Sequence, residues 1–292
     1  MAKILLTGAT GYLGSHILRM LLNDGHSAVI LKRSFSNTKR IDDLMRRVKA
    51  YDIDKVTIKK IFDENSIDII IHTATNYGRN GEPITEVVKT NLVFPLEILE
   101  YAAKKNVSLF INTGTSLPKE LNYYEMSKRQ FIEYAKIITT EYKINFINVK
   151  LEHLYGPGED FNRFVPMLIR KMIRNEEVEM TKGEQERDFI YIDDAVSAYQ
   201  TLIKNSKRFV GFKEIEVGSG HPIKIKKFAR IIKSLTGSKS KIKFGAIPYR
   251  KNEPMYTCAD TSLLNKLGWK PKHTIKEGLK IEVDYCKDEM KK

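Results

Sequence analysis

Apolar and polar positions along the chain follow two rhythms. Short, almost wholly apolar runs at Lys3–Thr7, Ala28–Leu31, Ile69–His72, Leu109–Asn112 and Phe146–Lys150 have the length and composition of buried strands. Between them, Tyr12–Asn23, Ile84–Lys105 and Tyr123–Tyr142 repeat apolar residues every three or four positions, as an amphipathic helix does. Strand, helix, strand at this spacing predicts βαβ units and a doubly wound parallel sheet with helices on both faces, an α/β fold. In that architecture a ligand sits beyond the carboxyl ends of the strands. After Gly156-Pro157-Gly158 the rhythm loosens, and Gly218-Ser219-Gly220 and Lys270-Pro271 punctuate shorter runs. A smaller α/β C-terminal lobe is expected there. The expected division assigns residues 1–155 to the sheet domain, with 189–212 returning to it, and 156–188 plus 213–292 to the lobe.

Composition narrows the class of protein. The 292 residues are 42% hydrophobic and 29% charged, enough for a packed core and against wholesale disorder. No apolar run approaches about 18 residues, so no membrane insertion is expected. The N-terminus runs straight into a strand-like segment without a cleavable apolar leader. Two cysteines, Cys258 and Cys286, cannot build a disulfide framework, and a reducing cytoplasmic setting fits. Six histidines (His16, His26, His72, His153, His221 and His273) show no metal-ligand spacing, so no metal is expected. Fifty basic against 36 acidic residues give a net charge of +14. The lysines are scattered and alternate with apolar residues, as on solvated element faces, so nucleic acid is not an expected partner.

The candidate chemistry begins at Gly8-Ala9-Thr10-Gly11-Tyr12-Leu13-Gly14. This G-x-x-G-x-x-G follows the first strand and opens the first helix. The first two glycines permit a tight turn with backbone N–H groups close to a pyrophosphate, and the third lets the helix pack against the strand. The reading is a Rossmann-type dinucleotide site. A carboxylate about 20 residues further on would hold the ribose 2′-hydroxyl of NAD. The second strand ends instead in Leu31-Lys32-Arg33-Ser34, where Lys32, Arg33 and Ser34 suit a 2′-phosphate. NADP(H) is therefore the expected cofactor.

Tyr124 and Lys128 are spaced four apart on a predicted helix and share a face. A neighbouring ammonium is expected to lower the Tyr124 pKa and make it a proton donor and acceptor near neutral pH. Thr115, just past a strand end in Asn112-Thr113-Gly114-Thr115-Ser116-Leu117-Pro118, offers a hydroxyl to the same substrate oxygen, and Ser116 offers a second. The sequence leaves open which of the two serves.

Glycine loop, strand-end hydroxyl and Tyr/Lys helix, in this order, resemble the short-chain dehydrogenase/reductase superfamily from end to end. The chain resembles its extended branch, which acts on nucleotide sugars, through His72-Thr73-Ala74, Asn91, Tyr155-Gly156-Pro157-Gly158, Arg187–Asp194, Val217–Gly220, Arg250–Glu253 and Leu267-Gly268-Trp269. The resemblance implies that Asp52, Ile53, Thr73, Ala74 and Thr75 join the cofactor site with the glycine loop, Tyr124 and Lys128. It implies Tyr77, Arg79, Thr115, Ser116, His153, Arg187, Arg250 and Glu253 at the substrate, the two lobe arginines clamping a diphosphate. Structural pairing remains an alternative for Arg187 with Asp188 or Asp193, and for Arg79 with Glu82. His153 has a core role as its alternative.

Within the branch, Tyr77–Pro83, Lys150–Gly156 and Asn252–Asp260 resemble CDP-paratose and CDP-abequose synthases. These reduce the C4 ketone of a CDP-3,6-dideoxy-4-ketohexose for surface-polysaccharide sugars, with hydride from NADPH. Ser116-Leu117 after Thr115 supplies no acid or base, which speaks against dehydration. The alternatives are a 4-epimerase with bound NAD and a reductase of a CDP-, dTDP- or GDP-4-keto-6-deoxyhexose retaining its 3-hydroxyl. The resemblance also implies a homodimer through the helices at Ile84–Lys105 and Tyr123–Tyr142. Leu92, Leu96, Leu99, Phe131, Ile132 and Ala135 would serve it, or would pack equally well on the sheet.

Overall fold

The apolar runs become the central strands of a seven-stranded sheet in a computed structural model of the chain. It describes residues 1–79 and 81–291. Asn80, within the Tyr77–Pro83 stretch, and Lys292 lie outside the described residues. In chain order come β1 (Lys3–Thr7), α1 (Tyr12–Asn23), β2 (Ser27–Lys32), β3 (Lys49–Asp52), α2 (Ile58–Glu64), β4 (Ile69–His72), α3 (Ile84–Val88), α4 (Phe94–Lys104) and β5 (Leu109–Thr113). Next are α5 (Tyr123–Tyr142), β6 (Phe146–Leu151), β7 (His153–Tyr155), α6 (Phe164–Ile173), β8 (Val178–Met180), β9 (Glu186–Arg187), β10 (Phe189–Tyr191), α7 (Ile192–Lys204) and β11 (Phe212–Val217). The chain ends with β12 (Ile223–Lys224), α8 (Ile225–Thr236), β13 (Ile242–Phe244), α9 (Ser262–Lys266) and α10 (Ile275–Glu289).

The chain divides into two compact units: Met1–Lys150 with Val196–Ile215, and Leu151–Ala195 with Glu216–Lys292. The division expected at residue 155 falls at 150, and the returning segment is Val196–Ile215 rather than 189–212. Pairing explains both shifts. β7 runs parallel to β10, with Phe189 opposite His153, so both strands stay in the second unit. β11 lies beside β6 and extends the sheet.

In the first unit the strand order is β11-β6-β5-β4-β1-β2-β3, and the pairs from β3 to β6 are parallel. The order reverses at β1, flanked by β2 and β4. This is the switch point at which doubly wound sheets bind ligands beyond their strand ends. Phe110 stacks on Phe146 at 5.1 Å and Phe146 on Phe212 at 5.5 Å, with Phe131 edge-on to Phe146 at 5.9 Å. Phe131 and Ala135 are fully buried, as is Leu99 of α4, so these positions face the sheet.

The single helix expected over Ile84–Lys105 carries a π turn at Lys89–Val93 between α3 and α4. Pro95 has no N–H to return to the carbonyl of Asn91, which favours the wider turn. Asn91 lies inside that turn and is buried. In the second unit, Phe189 stacks on Phe228 at 4.0 Å, forming the centre of a small core under α6, α8 and α10.

Candidate active site

The end of β1 is built from main chain. The Thr7 hydroxyl accepts the N–H groups of Thr73 and Ala74, both at 3.2 Å, and therefore donates to Nδ1 of His72 at 2.8 Å. Nδ1 is thus an acceptor and the proton sits on Nε2. Burial pushes the His72 pKa well down, in keeping with a neutral ring. Thr73 closes the junction by donating its hydroxyl to the Thr7 carbonyl at 2.7 Å.

The glycine turn rests on this junction. Gly8 has φ +72°, and a Cβ there would lie 2.6 Å from both the Ala74 nitrogen and the Thr73 hydroxyl. A Cβ on Gly14 would lie 2.1 Å from the Gly8 carbonyl. Gly11 caps α1 without a side-chain hydrogen bond, so the first helical N–H groups are open to an anion. Thr10, Tyr12 and Leu13 are half-buried around the turn. A dinucleotide pyrophosphate fits this cradle, with its charge at the positive end of a 12-residue helix.

The end of β2 differs from the sequence reading. Lys32 is ion-paired with Asp52, the residue opposite it on β3. Ser34 is held by Asp54, which accepts its N–H at 2.7 Å and its hydroxyl at 2.5 Å. Those hydrogen bonds keep the Asp54 carboxyl below its ordinary range. Two carboxylates absent from the second strand thus arrive from the end of the third and the turn after it. Arg33 is exposed, with its guanidinium 4.8 Å from the Phe35 ring. Ile53 is half-buried beside Asp52, its N–H on the Lys32 carbonyl at 2.9 Å.

The third part of the site lies beyond β4 and β5. Asn91 accepts from the Thr75 hydroxyl at 3.1 Å and from the Asn76 N–H at 2.8 Å, and donates to Ser127 at 3.1 Å. The Tyr77 ring lies 4.8 Å from that of Tyr124, and the Arg79 guanidinium lies 5.1 Å from the Tyr77 ring. Burial, then the charges of Tyr77 and Glu125, push the Tyr124 pKa well above its ordinary value, against the pull of Thr75 and Arg79. Lys128, 3% exposed, is itself pushed down to about 8 by burial. The expected lowering of Tyr124 by Lys128 is therefore not what the protein alone delivers: the phenol stays protonated at neutral pH.

Thr115 sits on a loop threaded closely past β6. A Cβ on Gly114 would lie 2.5 Å from the Asn148 side chain, and the Gly114 N–H reaches the Val149 carbonyl at 2.7 Å. The Thr115 hydroxyl accepts the Leu117 N–H at 3.1 Å. Ser116 is half-buried beside it. Glu125 is 2% exposed and has burial as the main cause of a raised pKa. The sequence reading missed it because a glutamate next to the tyrosine carries no spacing signal.

In the second unit, Arg187 pairs not with Asp188 or Asp193 but with Glu253, at 2.5 Å, and donates to the carbonyls of Glu186, at 2.8 Å, and Pro254. Glu253 also takes Nε of Arg250 at 2.9 Å. One carboxylate thus orients both arginines. Arg187 is buried, whereas the Arg250 side chain is 67% exposed. Asp188 instead gathers the N–H groups of Ser219, Gly220 and Ala259 at 2.8 to 3.1 Å, tying Val217–Gly220 to the Arg187 strand. His153 lies 3.4 Å from Glu152, which accepts the Thr257 hydroxyl at 3.0 Å.

A helix-opening glycine cradle at a parallel-sheet switch point, followed by a tyrosine and a lysine on one helix, defines a Rossmann-type oxidoreductase that binds a nicotinamide dinucleotide. Residues 4–218 match the NAD dependent epimerase/dehydratase family, and the chain belongs to that family, the extended short-chain dehydrogenases/reductases. It is 39% identical over 285 residues to the CDP-abequose synthase of Salmonella muenchen, covering 95% of this chain and 96% of that protein. It is 33% identical over 287 residues to the CDP-abequose synthase of Salmonella typhimurium, covering 94% and 95%. Among solved structures, it superposes on the UDP-glucose 4-epimerase of Thermotoga maritima, determined with UDP-glucose, with a TM-score of 0.86 at 24% identity and 99% coverage of both chains. The UDP-glucuronic acid 4-epimerase of Bacillus cereus, in complex with UDP-glucuronic acid and NAD, gives 0.85 at 24%, covering 98% and 99%. At that identity the structural likenesses speak for the fold.

Proposed function

We propose that the protein reduces the C4 ketone of a CDP-linked 3,6-dideoxy-4-ketohexose, with NADPH as reductant. The observation that carries this reading is the 39% identity to a CDP-abequose synthase along 95% of the chain. Glycine cradle, Tyr124, Lys128 and Thr115 supply what ketone reduction needs. Arg33 is the cation that favours a 2′-phosphate.

Gly8, Gly11 and Gly14 would hold the cofactor pyrophosphate, with Thr73, Ala74, Thr75 and Ile53 along its length. When bound, NADPH supplies the hydride for C4. Thr115 donates a hydrogen bond to the ketone oxygen and stabilises the charge that grows there. Tyr124 gives its proton to that oxygen. A raised pKa suits this direction, because a donor must enter the reaction protonated. Lys128 sits on the same face of α5 and stabilises the phenolate left behind. Arg187 and Arg250, oriented by Glu253, hold the substrate diphosphate, so binding energy far from C4 positions a small deoxysugar. His153 joins this substrate side. Exposed Ile84, Val93, Tyr123, Tyr134 and Ile137 on α3, the π turn and α5 support a homodimer through these helices.

The test is NADPH oxidation with a panel of CDP-, dTDP- and GDP-4-keto sugars, with NADH as control. Turnover is expected on the CDP-3,6-dideoxy ketone, and Tyr124→Phe should lower kcat by about 100- to 10,000-fold with NADPH binding retained. No oxidation with any ketone, together with NAD retained by the purified protein, would replace this reading with a 4-epimerase.

A further inference from the structure

Successive residues of an extended strand point to opposite faces, so their side chains do not meet. Glu152 and His153 are successive and do meet, because Glu152 is the break between β6 and β7. The Glu152 N–H reaches the Val217 carbonyl at 2.9 Å, and the His153 N–H reaches the Asp188 carbonyl at 3.1 Å. With both backbones pinned, Oε2 of Glu152 lies 3.4 Å from Nδ1 of His153. The same oxygen accepts the Thr257 hydroxyl at 3.0 Å. All of these residues belong to the second unit.

The pair has a direction. The Glu152 side chain is 4% exposed, and Nδ1 of His153 is buried with no hydrogen-bond partner among the described residues. The carboxylate oxygen at 3.4 Å, slightly beyond hydrogen-bond length, is the polar atom it faces. Oε2 already acts as an acceptor toward Thr257. An unprotonated Nδ1 would set its lone pair against that oxygen out of water, which is costly. A protonated Nδ1 points its N–H there instead. In the neutral ring the other nitrogen, Nε2, then keeps a free lone pair. Nδ1 is buried while the side chain is 32% exposed, so the open edge of the ring is the one that carries Nε2.

An outward acceptor matches one group of the substrate proposed above. A 3,6-dideoxy-4-ketohexose joined to a diphosphate through C1 keeps a single free hydroxyl, at C2. Its ketone, ring oxygen and anomeric oxygen can only accept. The C2 hydroxyl is the sugar's one donor, and arginines and lysines cannot take it up because they have no acceptor. We propose that Glu152 is a positioning residue: it holds His153 in the Nδ1–H form and so leaves Nε2 to accept the hydrogen bond of the sugar's only hydroxyl. The hydroxyl contact rests on the ketone-reduction reading, but the Glu152–His153 arrangement does not.

Two measurements test it. Nitrogen-15 NMR of ligand-free protein labelled at histidine reads the tautomer of each neutral imidazole, and His153→Gln assigns the signal. In the wild type His153 should carry its proton on Nδ1. Glu152→Ala should move the proton to Nε2, whereas Glu152→Gln, whose amide oxygen still accepts, should leave it on Nδ1. A wild-type His153 protonated on Nε2 overturns the proposal, whether or not any ketone turns over and whether or not the Glu152 variants fold. Kinetics on the ketone that turns over, beside its 2-deoxy analogue, form the second arm. Glu152→Ala should raise KM for the hydroxylated ketone about tenfold, the worth of one hydrogen bond, and change KM for the analogue less than about twofold. Glu152→Gln should recover most of that loss. In a His153→Ala background, Glu152→Ala should add nothing. An equal loss on both ketones, or an additive loss in the His153→Ala background, overturns the proposal. Absence of turnover on every ketone defeats the reduction reading and the hydroxyl contact with it, while the tautomer still decides the Glu152–His153 arrangement.

Discussion

The ends of β1 and β2 lie side by side in one sheet and are made in opposite ways. At β1 the work falls to main chain: Thr7, Thr73 and Ala74 lock two strand ends together, and Gly8 and Gly14 leave no room for a side chain. At β2 the work falls to charged side chains: Lys32 with Asp52, Ser34 with Asp54, and Arg33 over Phe35. A buried, hydrogen-bonded backbone turn has one geometry and tolerates no added atom. A cluster of charged side chains at the surface, of which Arg33 and Ser34 are exposed and the Lys32–Asp52 pair is partly buried, is adjustable, and its exposed members carry little energy because water screens them. The same cofactor would therefore meet a rigid end and a soft one.

Three substitutions probe that contrast. Gly14→Ala should do the most damage, because its Cβ would lie 2.1 Å from the Gly8 carbonyl. Opening the cradle removes at least two charge-assisted hydrogen bonds, so NADPH affinity should fall by about 100-fold or more in a fluorescence titration. A loss under about threefold would mean the turn is as soft as the end of β2. Arg33→Ala comes next. It should weaken NADPH about tenfold while leaving NADH within about twofold, the worth of one charge-assisted contact. Equal weakening of both would remove Arg33 from the 2′-phosphate. Asp54→Asn should have the smallest effect. It keeps an acceptor for Ser34 and removes a negative charge, so NADPH should tighten relative to NADH by roughly threefold or less. A larger gain would show that Asp54, rather than Arg33, sets the cofactor preference.

The helices were legible to different depths. Tyr123–Tyr142 follows its apolar period closely and forms α5 over those residues. Ile84–Lys105 follows the same period but contains a π turn, since Pro95 breaks a hydrogen bond without altering the apolar pattern. The apolar residues considered for a dimer show the same limit. Leu99, Phe131, Ile132 and Ala135 went to the core, while residues such as Tyr134 and Ile137 remain on the surface. Periodicity marks an apolar face but not what covers it.

The sequence alone determined the succession of the five central strands with the helices at Tyr12–Asn23, Ile84–Lys105 and Tyr123–Tyr142, the glycine turn and the Tyr124–Lys128 spacing. Each depends on neighbours within a few residues, where backbone geometry and helical period act directly. Only the tertiary structure decided which charges meet. Lys32 found Asp52 across 20 positions, and Arg187 found Glu253 across 66. It also decided the proton on Tyr124, which burial holds in place despite the lysine four residues away. Pairing and desolvation depend on what the fold brings near and removes from water, and no local pattern encodes either.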